Sequence, residues 1–409
     1  MPHICRLPIR NGIVWFTAAF CLVAWAVAMQ AAATPIHSRD EPVWFMRSGS
    51  TPADLSSPEK RFWAIDVPGL NRWVWWSALT ATGLREPPRG EGPCWRTIGS
   101  RLYWRGSEDP DSDARALART ERMYGAVAPE AAIYAMRTTN VIAFLGGLAM
   151  LYAVALRATG SHAVSTAAVA PIVVSPLFAL NLAFLCWSGD SFLFAGLALV
   201  LLVWTRRPQP TLRNAALVGA ACGLALGAKL VAMPALAAYC AWALWRGRGR
   251  SRILAPAAAC AAALAVFAIL NPVVIMHPSR SPIQIGGNAF GVLAAMCARR
   301  AQQSATLVAS GMPLTWATML AQFTPYWPLV PINIVASARA MRDPSRAPIA
   351  LWGVALWGST LAAYVIMGVS HRRYLGPAEY SLFFSTAVLV LGQSRSESGR
   401  ARGDGWRAR

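Results

Sequence analysis

Apolar residues in this chain come in long uninterrupted blocks. They show neither the alternation of a half-buried strand nor the single stripe of a surface helix. The blocks cover residues 13–33, 131–156, 163–187, 190–204, 214–228, 230–245, 252–276, 313–336, 347–369 and 374–392. A helix that is apolar all round needs an apolar surrounding, and about 20 such residues cross a hydrocarbon core of about 30 Å. The pattern therefore predicts an all-α polytopic membrane protein of about ten transmembrane helices. Two polar interruptions break the series, residues 34–130 and 277–312. Within the first, "GLNRWVWWSALTATGL" places three Trp in four residues, which suits a helix lying at headgroup level. Within the second, Arg299 and Arg300 interrupt "VLAAMCARRAQQSATLV", which reads as an interfacial helix. No internal repeat of fixed period is present.

Composition agrees, and charge adds an orientation. Hydrophobic residues make up 56% of the 409 and charged residues only 14%, too few to clothe a soluble domain of this size. The net charge of +20 would point to nucleic acid in a soluble protein. Here the basic residues sit in the short gaps "TRRPQPTLR", "RGRGRSR" and "SARAMRDPSR", in "RLPIR" before the first block, and in the tail 393–409. That is the positive-inside pattern, so nucleic acid is excluded as a partner and both termini are expected in the cytoplasm. Residues 13–33 follow Arg6 and Arg10 and read as a retained span rather than a cleaved signal, being long for a signal's apolar region. Residues 1–392 then form one transmembrane domain, followed by a basic cytoplasmic tail. The eight cysteines lack metal-ligand spacing. Cys222, Cys240 and Cys260 lie inside apolar blocks as packing residues, and Cys94 and Cys297 share the outer side.

Two short blocks carry chemistry. Residues 214–228 and 230–245 each reach only about 24 Å as a helix. With both outer ends cytoplasmic, Lys229 at the turn between them is expected to be recessed from the outer surface, and Asp190 likewise. With Asp40–Glu41 after the first block and Arg372–Arg373 before the last, four charged groups converge on the outer half. Cations there neutralise a phosphate, arginine through a bidentate fork, and a carboxylate takes a proton from a hydroxyl. A glycosyl donor on the outer face must arrive on a lipid phosphate, a leaving group that needs charge neutralisation and no general acid. Blander readings stand beside each residue. Asp40–Glu41 can begin a solvated loop, Asp190 can cap its helix, and Lys229 can snorkel. "GLALGAKL" lacks the Gly-Lys-Ser/Thr of a nucleotide loop; Gly223 and Gly227 have instead the spacing of close helix packing. "DPDSDARAL" fails as a calcium loop because Ala114 stands where glycine is needed.

Seven segments in order resemble polyprenyl-phosphate-sugar glycosyltransferases of the GT-C type, the protein O-mannosyltransferase and aminoarabinose transferase kind. They are "SRDEPVWF", "DVPGLNRWVWWSALTATGL", "AMRTTNVIAFLGGLAMLYAVALR", "VSPLFALNLAFLCWSGDSFLFAGLALVLL", "GLALGAKLVAMPAL", "ILNPVVIMHP" and "HRRYLGPAEYSLFF". The resemblance implies a GT-C-like helical bundle and an inverting transfer of a sugar from a polyprenyl phosphate. The acceptor would be a lipid, glycan or protein on the periplasmic face of a bacterial inner membrane. It implies Asp40 as general base with Glu41 beside it, and Lys229, Arg372 and Arg373 on the donor phosphate. Asp190, Arg137, Tyr374 and His277 are candidates to line the site. No cofactor is required, and a divalent cation is compatible with the site. The chain departs from the family at "DVPGL", where relatives often carry His-Pro-Pro-Leu or Lys-Pro-Pro-Leu; Arg72 is the candidate replacement cation. A transporter or flippase of lipid-linked sugars is the main rival, and a polysaccharide polymerase or ligase with a lipid-diphosphate donor is another.

Overall fold

The computed structural model describes residues 69–84, 130–173, 190–271, 326–367 and 375–392. These form ten α-helices and one 3₁₀ turn, with no strand among the described residues: α1 (Gly69–Ala81), α2 (Glu130–Thr159), α3 (His162–Val173), α4 (Asp190–Arg206), α5 (Leu212–Ala228), the 3₁₀ turn Leu230–Ala232, α6 (Met233–Arg246), α7 (Ser251–Leu270), α8 (Leu329–Ala340), α9 (Ala347–Met367) and α10 (Gly376–Leu391). Residues 13–33, the loop 34–68 and the segment 277–312 lie outside the described residues, so a bundle of ten spans is not defined. What is defined is an all-helical protein. Two of its helices, Tyr134–Thr159 and Ser251–Leu270, are long and apolar enough to cross a membrane.

The outer surface supports an apolar surrounding. Ile142, Ile253, Leu264 and Ile269 point outward and are 64–73% exposed. Such a surface suits lipid better than water.

Inside, small residues set the helix spacing. Gly219, Gly223 and Gly227 recur every four residues along α5, and α7 presses on that face. A Cβ on Gly219 would run into the backbone of Ala259, one on Gly223 into Ala263 and Val266, and one on Gly227 into the Leu270 side chain. The pairings advance together, so α5 and α7 are parallel. Their backbones approach closely because no side chain intervenes, which is how helices gain contact where lipid offers no hydrophobic drive. Gly196 of α4 meets Ala225 of α5 in the same way, but antiparallel, and Gly147 of α2 receives the Phe194 ring of α4. A second set of contacts ties α8, α9 and α10. The buried Asn333 amide donates to Ser385 Oγ at 2.8 Å and Thr386 Oγ1 at 3.0 Å, and its Oδ1 accepts from Trp357 Nε1 at 3.0 Å. With every polar atom of that amide satisfied, the network tolerates an apolar setting.

Helix directions give the bundle two unlike ends. The C-terminal turns of α2, α4, α6 and α8 carry Arg157, Arg206, Arg246 and Arg339 at one end, where Arg346 also donates to the Gly392 carbonyl at 3.0 Å. The other end holds the starts of α1, α4 and α10, the first turns of α2, and the finishes of α5 and α7. Buried charge gathers there.

Candidate functional site

Lys229 breaks the chain between α5 and the 3₁₀ turn. It closes α5 as C-cap with an extended backbone, φ −161° and ψ 141°, and its N–H still donates to the Ala225 carbonyl at 2.9 Å. Pro234 lies in the first turn of α6, where its missing N–H costs nothing, so the chain re-enters a helix at once. The lysine is thus held in a tight reversal and not on a long loop. Its side chain is 17% exposed and forms an ion pair with Asp190, which is 7% exposed. Asp190 opens α4, where the helix dipole favours a carboxylate. The antiparallel packing at Gly196–Ala225 brings the start of α4 and the end of α5 to one level, and the two charges meet.

Other groups reach the same end. Arg137, one turn ahead of Asn140 on α2, is 1% exposed. The Asn140 side chain accepts from Trp75 Nε1 of α1 at 3.1 Å, and the Trp75 ring packs edge-on against Phe192, two residues beyond Asp190. Arg72, one turn before Trp75, is 6% exposed, and burial lowers the pKa of its guanidinium. On α10 the Tyr380 ring meets Phe194 edge-on at 5.0 Å. Its neighbour Glu379 is 1% exposed and accepts from Tyr326 Oη at 2.5 Å. Beyond residue 130, the acids ahead of the basic tail are Asp190, Asp343 and Glu379. Two of these three are buried at this end, while Asp343 is an exposed partner of Arg346 at the opposite one.

Lys229 and Asp190 are both largely buried within the fold, and the two form a direct pair that their 39-residue separation does not announce. Arg137 joins them at the same end. Asp40, Glu41, Arg372, Arg373, Tyr374 and His277 lie outside the described residues. So do Cys94, Cys297 and the acids of "DPDSDARAL". Three residues were missed. Glu379 is an acid inside an apolar block, the signal that marks functional groups in membranes, and it went unused. Tyr380 follows it, and Asn71 sits one helical turn before Trp75. No group of three or more His, Cys, Asp or Glu able to hold a metal occurs among the described residues.

Comparison with protein-family models, with curated proteins and with solved structures finds no match. The case for function therefore rests on the site.

Proposed function

We propose that this protein is a membrane glycosyltransferase, GT-C-like in fold, that moves a sugar from a polyprenyl phosphate to an acceptor hydroxyl on the periplasmic face of a bacterial inner membrane. The observation that carries the reading is the buried Lys229–Asp190 pair at the end of an apolar bundle opposite its arginine-rich end, where Arg72 and Arg137 are also buried. Charges so placed are costly in a membrane and are retained where they handle a charged ligand. A lipid phosphate fits because its tail matches the apolar exterior while its headgroup takes the cations.

In this reading Lys229, with Arg372 and Arg373, binds the donor phosphate. Asp190 holds the ammonium in place until the phosphate arrives. The acceptor oxygen attacks the anomeric carbon from the face opposite the phosphate. Its C–O bond forms as the bond from that carbon to the phosphate oxygen breaks, and the electron pair leaves with the polyprenyl phosphate. Asp40 takes the acceptor's proton, with Glu41 supporting the acceptor. The anomeric configuration inverts. The dianionic leaving group is stabilised by charges preorganised in a water-poor site.

The test is turnover by the purified protein in liposomes, supplied with a labelled polyprenyl-phosphate sugar. Release of free polyprenyl phosphate with label passing to an acceptor is expected, and Asp40→Asn should abolish release while donor binding persists. Movement of intact sugar lipid across the bilayer without cleavage would establish the flippase reading instead.

A further inference from the structure

Asn71 is completely buried, and neither its Oδ1 nor its Nδ2 has a hydrogen-bond partner among the described residues. A buried, unmatched amide is costly, and a leucine of similar size would avoid the cost. The amide is unusually well located. Its helix is pinned on one side, where the Gly69 N–H donates to Asn271 Oδ1 at 3.1 Å and Trp73 Nε1 donates to the Leu270 carbonyl at 3.2 Å. Leu270 in turn packs on Gly227, two residues before Lys229. On the other side, Trp75 shares the face of Asn71 at i+4 and reaches Asn140 and Phe192, beside Arg137 and Asp190. The start of α1 therefore bridges the finish of α7 and the α2–α4 start through Gly69, Trp73 and Trp75, and the buried Asn71 lies in that same stretch of helix.

The chemistry of the two orphaned atoms narrows the ligand. A phosphate only accepts hydrogen bonds, and an isoprenoid tail offers none. A hydroxyl both donates and accepts, as an amide does, and can match Oδ1 and Nδ2 together. We infer that Asn71 reads a hydroxyl of the sugar carried by the lipid phosphate and so helps to set which sugar is taken. This rests on the donor-phosphate reading of the same site. Asn71 is a specificity residue in that scheme: a sugar with a hydroxyl at the right position satisfies the amide, and one without it leaves the amide unmatched.

The test compares two probes on the full-length protein in nanodiscs: a short-chain polyprenyl phosphate, and the same lipid bearing mannose or aminoarabinose. Asn71→Leu should bind the bare lipid phosphate as the wild type does and lose about tenfold or more for the sugar-bearing lipid. Asn71→Ser, which keeps a donor and acceptor, should fall between. Equal loss for both probes, or none for either, would overturn the proposal. A drop in thermal stability without selective loss would show that the amide holds a structural water, and would overturn it too. Failure of the wild type to bind the bare lipid phosphate is a different result: it removes the donor-phosphate reading and this proposal with it.

Discussion

Lys229 is one of two lysines in a chain whose other basic side chains are arginine. In the proposed function a lysine at this turn presents a compact point charge on a flexible stem, able to swing between a carboxylate and an arriving phosphate, where the rigid arginine fork would hold one geometry. The ion pair with Asp190 is, in that proposal, the resting state. Lys229→Met leaves the nearly buried Asp190 without this partner and should cost about 3 kcal/mol of stability, while adding Asp190→Asn should restore part of it. Thermal unfolding of the two single variants and the double variant in detergent measures the coupling. Strict additivity would mean that the pair contributes nothing. At this scale the sequence was informative where a rule about membranes applied. The short blocks on either side single out Lys229, and its place before a block of similar length singles out Asp190. The partnership itself required the register of α4 against α5. Glu379 escaped because it lies inside the last apolar block, where hydropathy averages one acid away. Asn71 escaped because an orphaned amide is visible only once its surroundings are known.

Among elements, the α5–α7 contact decides how the site end is assembled. The four-residue spacing of Gly223 and Gly227 was legible as a packing face, but not which helix fills it. The partner is α7, running parallel, and not the chain neighbour α6. Gly219→Leu should drive a side chain into the Ala259 backbone and destabilise the protein by roughly 3 kcal/mol. Gly146→Ala on α2 should be tolerated, since nothing lies within 4 Å of the added methyl. Because Leu270 links Gly227 to the first turn of α1, Gly219→Leu should also weaken donor binding through misplacement of the site. Normal binding in a folded Gly219→Leu protein would separate the glycine face from function. The α8–α10 polar network was not legible at all: Asn333, Trp357 and Ser385 are scattered through apolar blocks and acquire meaning only through their mutual geometry.

For the whole molecule, the division between an arginine-rich end and an end of buried, mixed charge was legible as an alternation of loops. Among the described helices Arg157, Arg206, Arg246 and Arg339 gather at one end of the bundle. A cysteine introduced at Arg248 should react with an impermeant maleimide only after the membrane is opened, whereas one at Ser107 should react in intact cells. The reverse pattern would invert the topology and place the site in the cytoplasm. Block length alone does not separate a crossing helix from a short one, and among the described residues two helices are long and apolar enough to cross a membrane. The proposed function requires that the end of the bundle holding Lys229 and Asp190 take a lipid-borne phosphate. Its most direct test is the affinity of wild-type and Lys229→Ala proteins for a polyprenyl phosphate in nanodiscs. Tight binding by the wild type and a loss of about tenfold or more in the variant are expected, in line with removing a charge-assisted contact. Equal affinity of two folded proteins would contradict the proposed function and leave Lys229 as a structural partner of Asp190.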